Sequence, residues 1–103
     1  MKLKEAFVIL VPDSDPSNNK TMIGSETYTG YMVLVRNIDQ ALEECKSLVD
    51  EEDINAVVLC PGFSNQDVAK LSDHLGDHVG VCVARGDIRS TNAILQSIAK
   101  VGW

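Results

Sequence analysis

Nothing in this chain is equipped to hold nucleic acid. Its aromatic residues are two phenylalanines, two tyrosines and one tryptophan, and its nine basic residues face fifteen acidic ones. There is no basic stripe interleaved with stacking rings, and a net charge of −6 repels phosphate backbones and anionic membrane surfaces alike. Neither nucleic acid nor a membrane is expected as a partner. Long apolar runs are missing too, since Ala6–Val11 is far shorter than a membrane span. Two lysines precede that run, as in a signal peptide. It is nonetheless too short for the hydrophobic region of one, and an acidic turn follows it. A cytoplasmic protein is the expectation.

Cysteine is scarce and has no pairing pattern. Cys45, Cys60 and Cys82 are odd in number, lack CxxC spacing and sit among apolar neighbours, where a free thiol behaves as a small hydrophobe. This suits a reducing compartment. The glycine-rich cradles GxxxxGK[ST] and GxGxxG are absent, as is an EF-hand loop, so no cofactor is expected. His74 and His78 are four apart, but Gly76 interrupts any helix between them and no third good ligand is evident. No metal is expected either. The acidic run Asp50–Asp53 reads as a solvated corner, and Arg85-Gly86-Asp87 as a chance tripeptide rather than an adhesion motif.

What is present is an alternation of strand-like and helix-like segments within a single domain, residues 1–103. "AFVILV" (6–11) is wholly apolar and stopped by Pro12, which suggests a strand buried on both faces. Asp15, Pro16 and Gly24 would cap, start and stop a short polar helix, with an irregular loop as the alternative. Tyr28–Arg36 is rich in β-branched and aromatic residues and reads as an edge strand weakened by Gly30. Ile38, Ala41, Leu42, Cys45, Leu48 and Val49 form the clearest helical stripe. Ala56–Cys60 and Val79–Ala84 are further apolar strands. A helix burying Val68, Leu71 and Leu75 separates them, and a last helix from about Ser90 or Thr91 is expected to bury Ile94, Leu95 and Ile98.

Strands alternating with helices imply βαβ units, and hence an α/β fold. The expectation is a small, mostly parallel four-stranded sheet with helices on both faces, flavodoxin-like, in the order 2-1-3-4. Its open edges, the Tyr28–Val35 strand in particular, suggest a homodimer.

Between the third strand and its helix lies "CPGFSNQD". Ser64 and Asp67 have capping-box spacing, and Phe63 and Val68 have hydrophobic-staple spacing, so the stretch has a structural reason throughout. A phosphatase loop would need arginine six positions after Cys60, where Gln66 stands. Cys60 is still a thiol near a helix start, where the dipole favours thiolate, although Asp67 opposes that. Whether the chain is an enzyme is therefore open, with Cys60 its one candidate nucleophile or redox thiol. Parallel sheets bind ligands beyond the carboxyl ends of their strands. That rim would collect Asp13, Asp15, Cys60, Gly62, Phe63, Arg85, Asp87 and Arg89. Arg85 and Arg89 could clamp a small anionic ligand, or Arg85 could pair with Asp13 or Asp87 and merely tie loops together.

The stretches "AFVILVPDSDPSNNK", "AVVLCPGFSNQDVAKL" and "VGVCVARGD" together resemble a family of small bacterial proteins of about this length, known only as a domain of unknown function. That resemblance rests on Pro12, Asp15, Pro16, Cys60, Gly62, Phe63, Arg85 and Asp87. It implies a small α/β domain with no established reaction. The chain departs from the pattern at Pro61, Ser64 and Gly86, and it lacks the histidine that often follows the Arg-Asp pair.

Overall fold

A strand that is wholly apolar from Ala6 onward, β1 (Leu3–Leu10), runs through the centre of a five-stranded sheet in the computed structural model, which describes residues 1–103. After it come β2 (Lys20–Gly24), β3 (Tyr28–Val35), α1 (Ile38–Glu52), β4 (Ala56–Leu59), α2 (Asn65–Leu75), β5 (Gly80–Val83) and α3 (Ile88–Lys100). β1 pairs in parallel with β3 and β4, β5 is parallel to β4, and β2 lies antiparallel on the outside of β3.

The core lies on one side of this sheet. Ala6 and Val8 of β1, Val33 and Val35 of β3, and Val57 and Leu59 of β4 alternate toward it and are buried. Ala41 and Cys45 of α1 and Leu71 and Leu75 of α2 close over them. Each helix is fixed at its ends. Asn37 Oδ1 accepts the Gln40 N–H at 2.9 Å to start α1, and Asp53 ends it in the left-handed region at φ 58°. At α2 the expected capping box is present: the Asp67 N–H donates to Ser64 Oγ at 3.1 Å, and the Ser64 N–H donates to Asp67 Oδ2 at 3.0 Å.

The architecture is α/β and mostly parallel, and it departs from expectation in several respects. The sheet has five strands rather than four, so its order is β2-β3-β1-β4-β5 instead of 2-1-3-4. The added strand replaces the helix expected over Asp15–Gly24. The Asp15 carboxylate accepts from the Ser17 N–H, the Ser17 hydroxyl and Asn18 Nδ2, which closes a tight turn rather than capping a helix. "KTMIG" then forms a hairpin with β3 around Ser25–Thr27. In consequence β3 is an interior strand, not an edge.

The remaining differences concern the helices. They do not cover both faces: α1 and α2 touch each other on the same side. Both crossovers step the same way across the sheet, and right-handed connections then place both helices on one face. The helix that would have covered the other face is the one replaced by β2. α3 begins at Ile88, earlier than expected, and buries none of Ile94, Leu95 or Ile98.

Ser64→Ala removes the acceptor for the Asp67 N–H and should lower stability by about 1 kcal/mol. For a domain of this size that is a drop of roughly 4–8 °C in melting temperature by circular dichroism. An unchanged melting temperature would show that the cap is dispensable.

Candidate functional site

Parallel pairing delivers the ends of β1, β3, β4 and β5 to one rim. From β1 the chain moves outward toward β3, whereas from β4 it moves the other way toward β5. The gap between the ends of β1 and β4 is thus a topological switch point, the usual place for a ligand in open α/β sheets. Three groups of side chains stand along this rim.

The first group follows β1. Ser14 is buried, donates from Oγ to the Val11 carbonyl at 2.7 Å, and accepts from Arg36 Nη1 on its own carbonyl at 2.9 Å. The Ser17 hydroxyl, aided by the Ser17 N–H and the Arg36 charge, holds the Asp15 carboxyl below the usual carboxylate range. Asp15 is therefore a loop clasp, already committed. Asp13 beside it is exposed and bonds to no other side chain. Arg36, at the end of β3, was not singled out from the sequence, although a lone basic residue just past a strand end was the available signal.

The second group follows β4. Cys60 continues the ladder, its N–H donating to the Val8 carbonyl at 3.0 Å, while its Sγ accepts the Leu10 N–H at 3.3 Å. The thiol thus bridges β4 to β1 at the switch point. Gly62 has a steric reason: a Cβ there would stand 3.3 Å from Leu10 Cδ1 and 3.5 Å from Cys60 Sγ. The turn passes closely over the thiol and leaves it half-buried. Phe63 is turned into the core and is 6% exposed, so its ring is not on the rim.

The third group follows β5. Arg85 contacts Asp87 Oδ1 through Nε at 2.8 Å and Nη2 at 2.7 Å. Asp87 is the N-cap of α3 but makes no side-chain capping bond, because its carboxylate is turned to Arg85. Arg89 bonds to no other side chain. Residues 85–90 line an open concavity of about 580 Å³, to which Arg85 and Arg89 both contribute.

These groups share an edge without converging. No hydrogen bond or ion pair joins Cys60 to Arg85, or Arg85 to Asp13. His74 is in the last turn of α2 and His78 precedes β5, both at the opposite end of that strand. Cys60 therefore has neither a base nor a cation placed beside it. A narrower cleft of about 270 Å³ lies elsewhere, between β2 and α1, where Lys20 meets Glu44 at 3.7 Å and the Tyr31 hydroxyl donates to Glu52 at 3.1 Å.

Residues 3–99, nearly the whole chain, match the sequence profile of the Family of unknown function (DUF6506). The chain belongs to that family. The match runs from the start of β1 to the penultimate residue of α3, so all three rim groups and the last helix are part of the DUF6506 domain. No curated protein matches the chain. No helix of this DUF6506 chain is long and apolar enough to cross a membrane.

The three thiols differ sharply in setting. Burial, with a lesser contribution from Glu44, pushes the Cys45 thiol up to about 12, from an ordinary value of 9.0. Because the folded state keeps this proton and the unfolded state releases it, the contribution is complete below about pH 9 and disappears as pH rises toward 12. Wild-type unfolding free energy should thus fall above pH 9 more steeply than that of Cys45→Ala. The slopes should differ by up to about 1.4 kcal/mol per pH unit. Parallel curves for the two proteins would refute this assignment.

Proposed function

We propose that this DUF6506 domain is a binding protein that accepts a small anion, a phosphate or a carboxylate, in the concavity formed by Arg85, Arg89 and the first turn of α3. The observation that carries this reading is the diversion of Asp87. An N-cap aspartate normally satisfies the leading amides of its helix, but here its carboxylate is held by Arg85. The first turn keeps its partial positive charge, and Arg89 lines the same concavity. An anion entering there can meet Arg89 and the amides directly, and it can displace Asp87 from Arg85 for a two-pronged contact.

Magnitudes limit how tight this can be. Arg85 is 86% exposed, and exposed ion pairs contribute little in water. The chain's net charge of −6 also works against anion approach. An affinity on the order of 1 mM, about 4 kcal/mol, is the natural scale. A catalytic reading centred on Cys60 has one supporting contact, the Leu10 N–H on its sulfur, but a binding role needs nothing that is missing.

Titration with inorganic phosphate at low ionic strength, followed by amide chemical shifts, should move residues 85–91 saturably and leave the amides around Cys60 unmoved. Arg85→Ala with Arg89→Ala should weaken binding at least about tenfold, roughly 1.4 kcal/mol. Added salt should weaken it as well. Shifts that centre on Cys60, or that persist in the double variant, would defeat the proposal.

A further inference from the structure

The helix with the most sharply divided polar and apolar faces, α3, is the one that packs on nothing. None of its residues is buried, and it makes no substantial contact with any strand or helix. Yet Ile94 is 52% exposed and Leu95 56% exposed, and with Ile98 and Val101 they form a continuous stripe at helical spacing. The Trp103 N–H bonds back to the Ile98 carbonyl at 3.2 Å, and the ring helps to line an apolar hollow beside Ile94, Ile98 and Val101.

The sheet has the matching deficiency. On the side away from α1 and α2, one row crosses all five strands as Thr21, Met32, Phe7, Val58 and Cys82. Met32 is 47% exposed there and Phe7 36%. The neighbouring row is Ile23, Gly30, Glu5, Ala56 and Gly80; the Tyr28 ring already lies over Gly30, and Ala56 and Gly80 are the small positions left for a helix to approach. Edge-to-edge pairing would leave both surfaces wet.

We propose that two copies of this chain form a two-fold dimer in which α3 of each lies across the bare sheet face of the other. The area fits. A folded monomer of 11.2 kDa ordinarily exposes about 5,700 Å², whereas this chain exposes 6954 Å², an excess of about 1,250 Å². Standard interfaces take about 800 Å² from each partner and obligate dimers take more. Charge fits as well. Residues 88–103 hold Arg89 and Lys100 and no acid, so of the net −6 the first 87 residues carry −8. Glu5 lies in the bare face for a basic helix to meet.

A second copy suits this better than the chain's own helix. The Ala84 N–H donates to Leu59 O at 2.8 Å, carrying the line of β5 outward, and the Arg85–Asp87 pair latches the connector to the start of α3. The helix leaves from there without packing on its own sheet, and one two-fold axis covers both helices and both faces together.

Sedimentation of the full chain should give a mass of about twice 11.2 kDa. Ile98→Asp should yield a monomer whose sheet, α1 and α2 still unfold cooperatively, with any loss of helical circular dichroism no larger than the 13 residues of α3, because α3 contributes nothing to the monomer core. Cys82, in the covered row, should be alkylated at least about tenfold more slowly in the wild type than in Ile98→Asp. Oxidation of Ser97→Cys should join the introduced thiol to Cys82 of the other chain. A wild-type monomer, a dimer that survives Ile98→Asp, equal Cys82 rates, or a disulfide to Cys82 within one chain would each overturn the proposal. The last of these would mean that α3 folds back on its own sheet.

Discussion

A parallel sheet has two apolar faces to cover, and the handedness of its crossovers decides which face each helix reaches. In this chain β3–α1–β4 passes over β1, and β4–α2–β5 continues in the same direction, so α1 and α2 share one side. A connection running the opposite way, from β1 out to β3, is the one that could have placed a helix on the other side. It carries β2 instead. The one-sided core, the exposure of Phe7 and Met32 and the isolation of α3 all stem from that substitution of a strand for a helix.

Strands with wholly apolar sequences were legible because burial on the sheet leaves few polar positions to mislead. Ala6–Leu10 and Ala56–Leu59 are such segments, and the cap at Ser64–Asp67 was legible because its chemistry is local. The strand β2 was hidden by competition within its own neighbourhood. Asp15 and Pro16 suit a helix start, and only the choice of the Asp15 carboxylate to bond Ser17 and Asn18 reveals a turn. Gly24-Ser25-Glu26-Thr27 before a β-branched run was the hairpin signal to weigh against it. The stripe of α3 was legible as a stripe, but periodicity reports that a face is apolar and not which molecule covers it.

The rim shows the same division between what sequence order can and cannot fix. Parallel direction is enough to bring the neighbourhoods of Asp13, Cys60 and Arg85 to one edge, and chain topology predicts that much. Which side chains remain available is settled by contacts a few ångströms long. Asp15 is consumed by its own turn, Phe63 by the core, and the Cys60 sulfur by the Leu10 N–H. Arg36 took a place there by donating to the Ser14 carbonyl, a backbone acceptor that no residue pattern marks.

The Arg85–Asp87 pair connects the rim to the bare face. As an exposed ion pair its contribution to stability is small, so its importance is local: it takes the N-cap carboxylate of α3 away from the leading amides of the helix. A helix without tertiary packing is marginal in water at the length of α3, 13 residues. Its apolar stripe must therefore be covered for the helix to persist, and the bare row through Phe7 and Val58 is an apolar surface long enough to cover it. α3 falls almost wholly inside the span that matches the DUF6506 family. In the proposed dimer it is a structural layer of the sheet, supplied by the other copy.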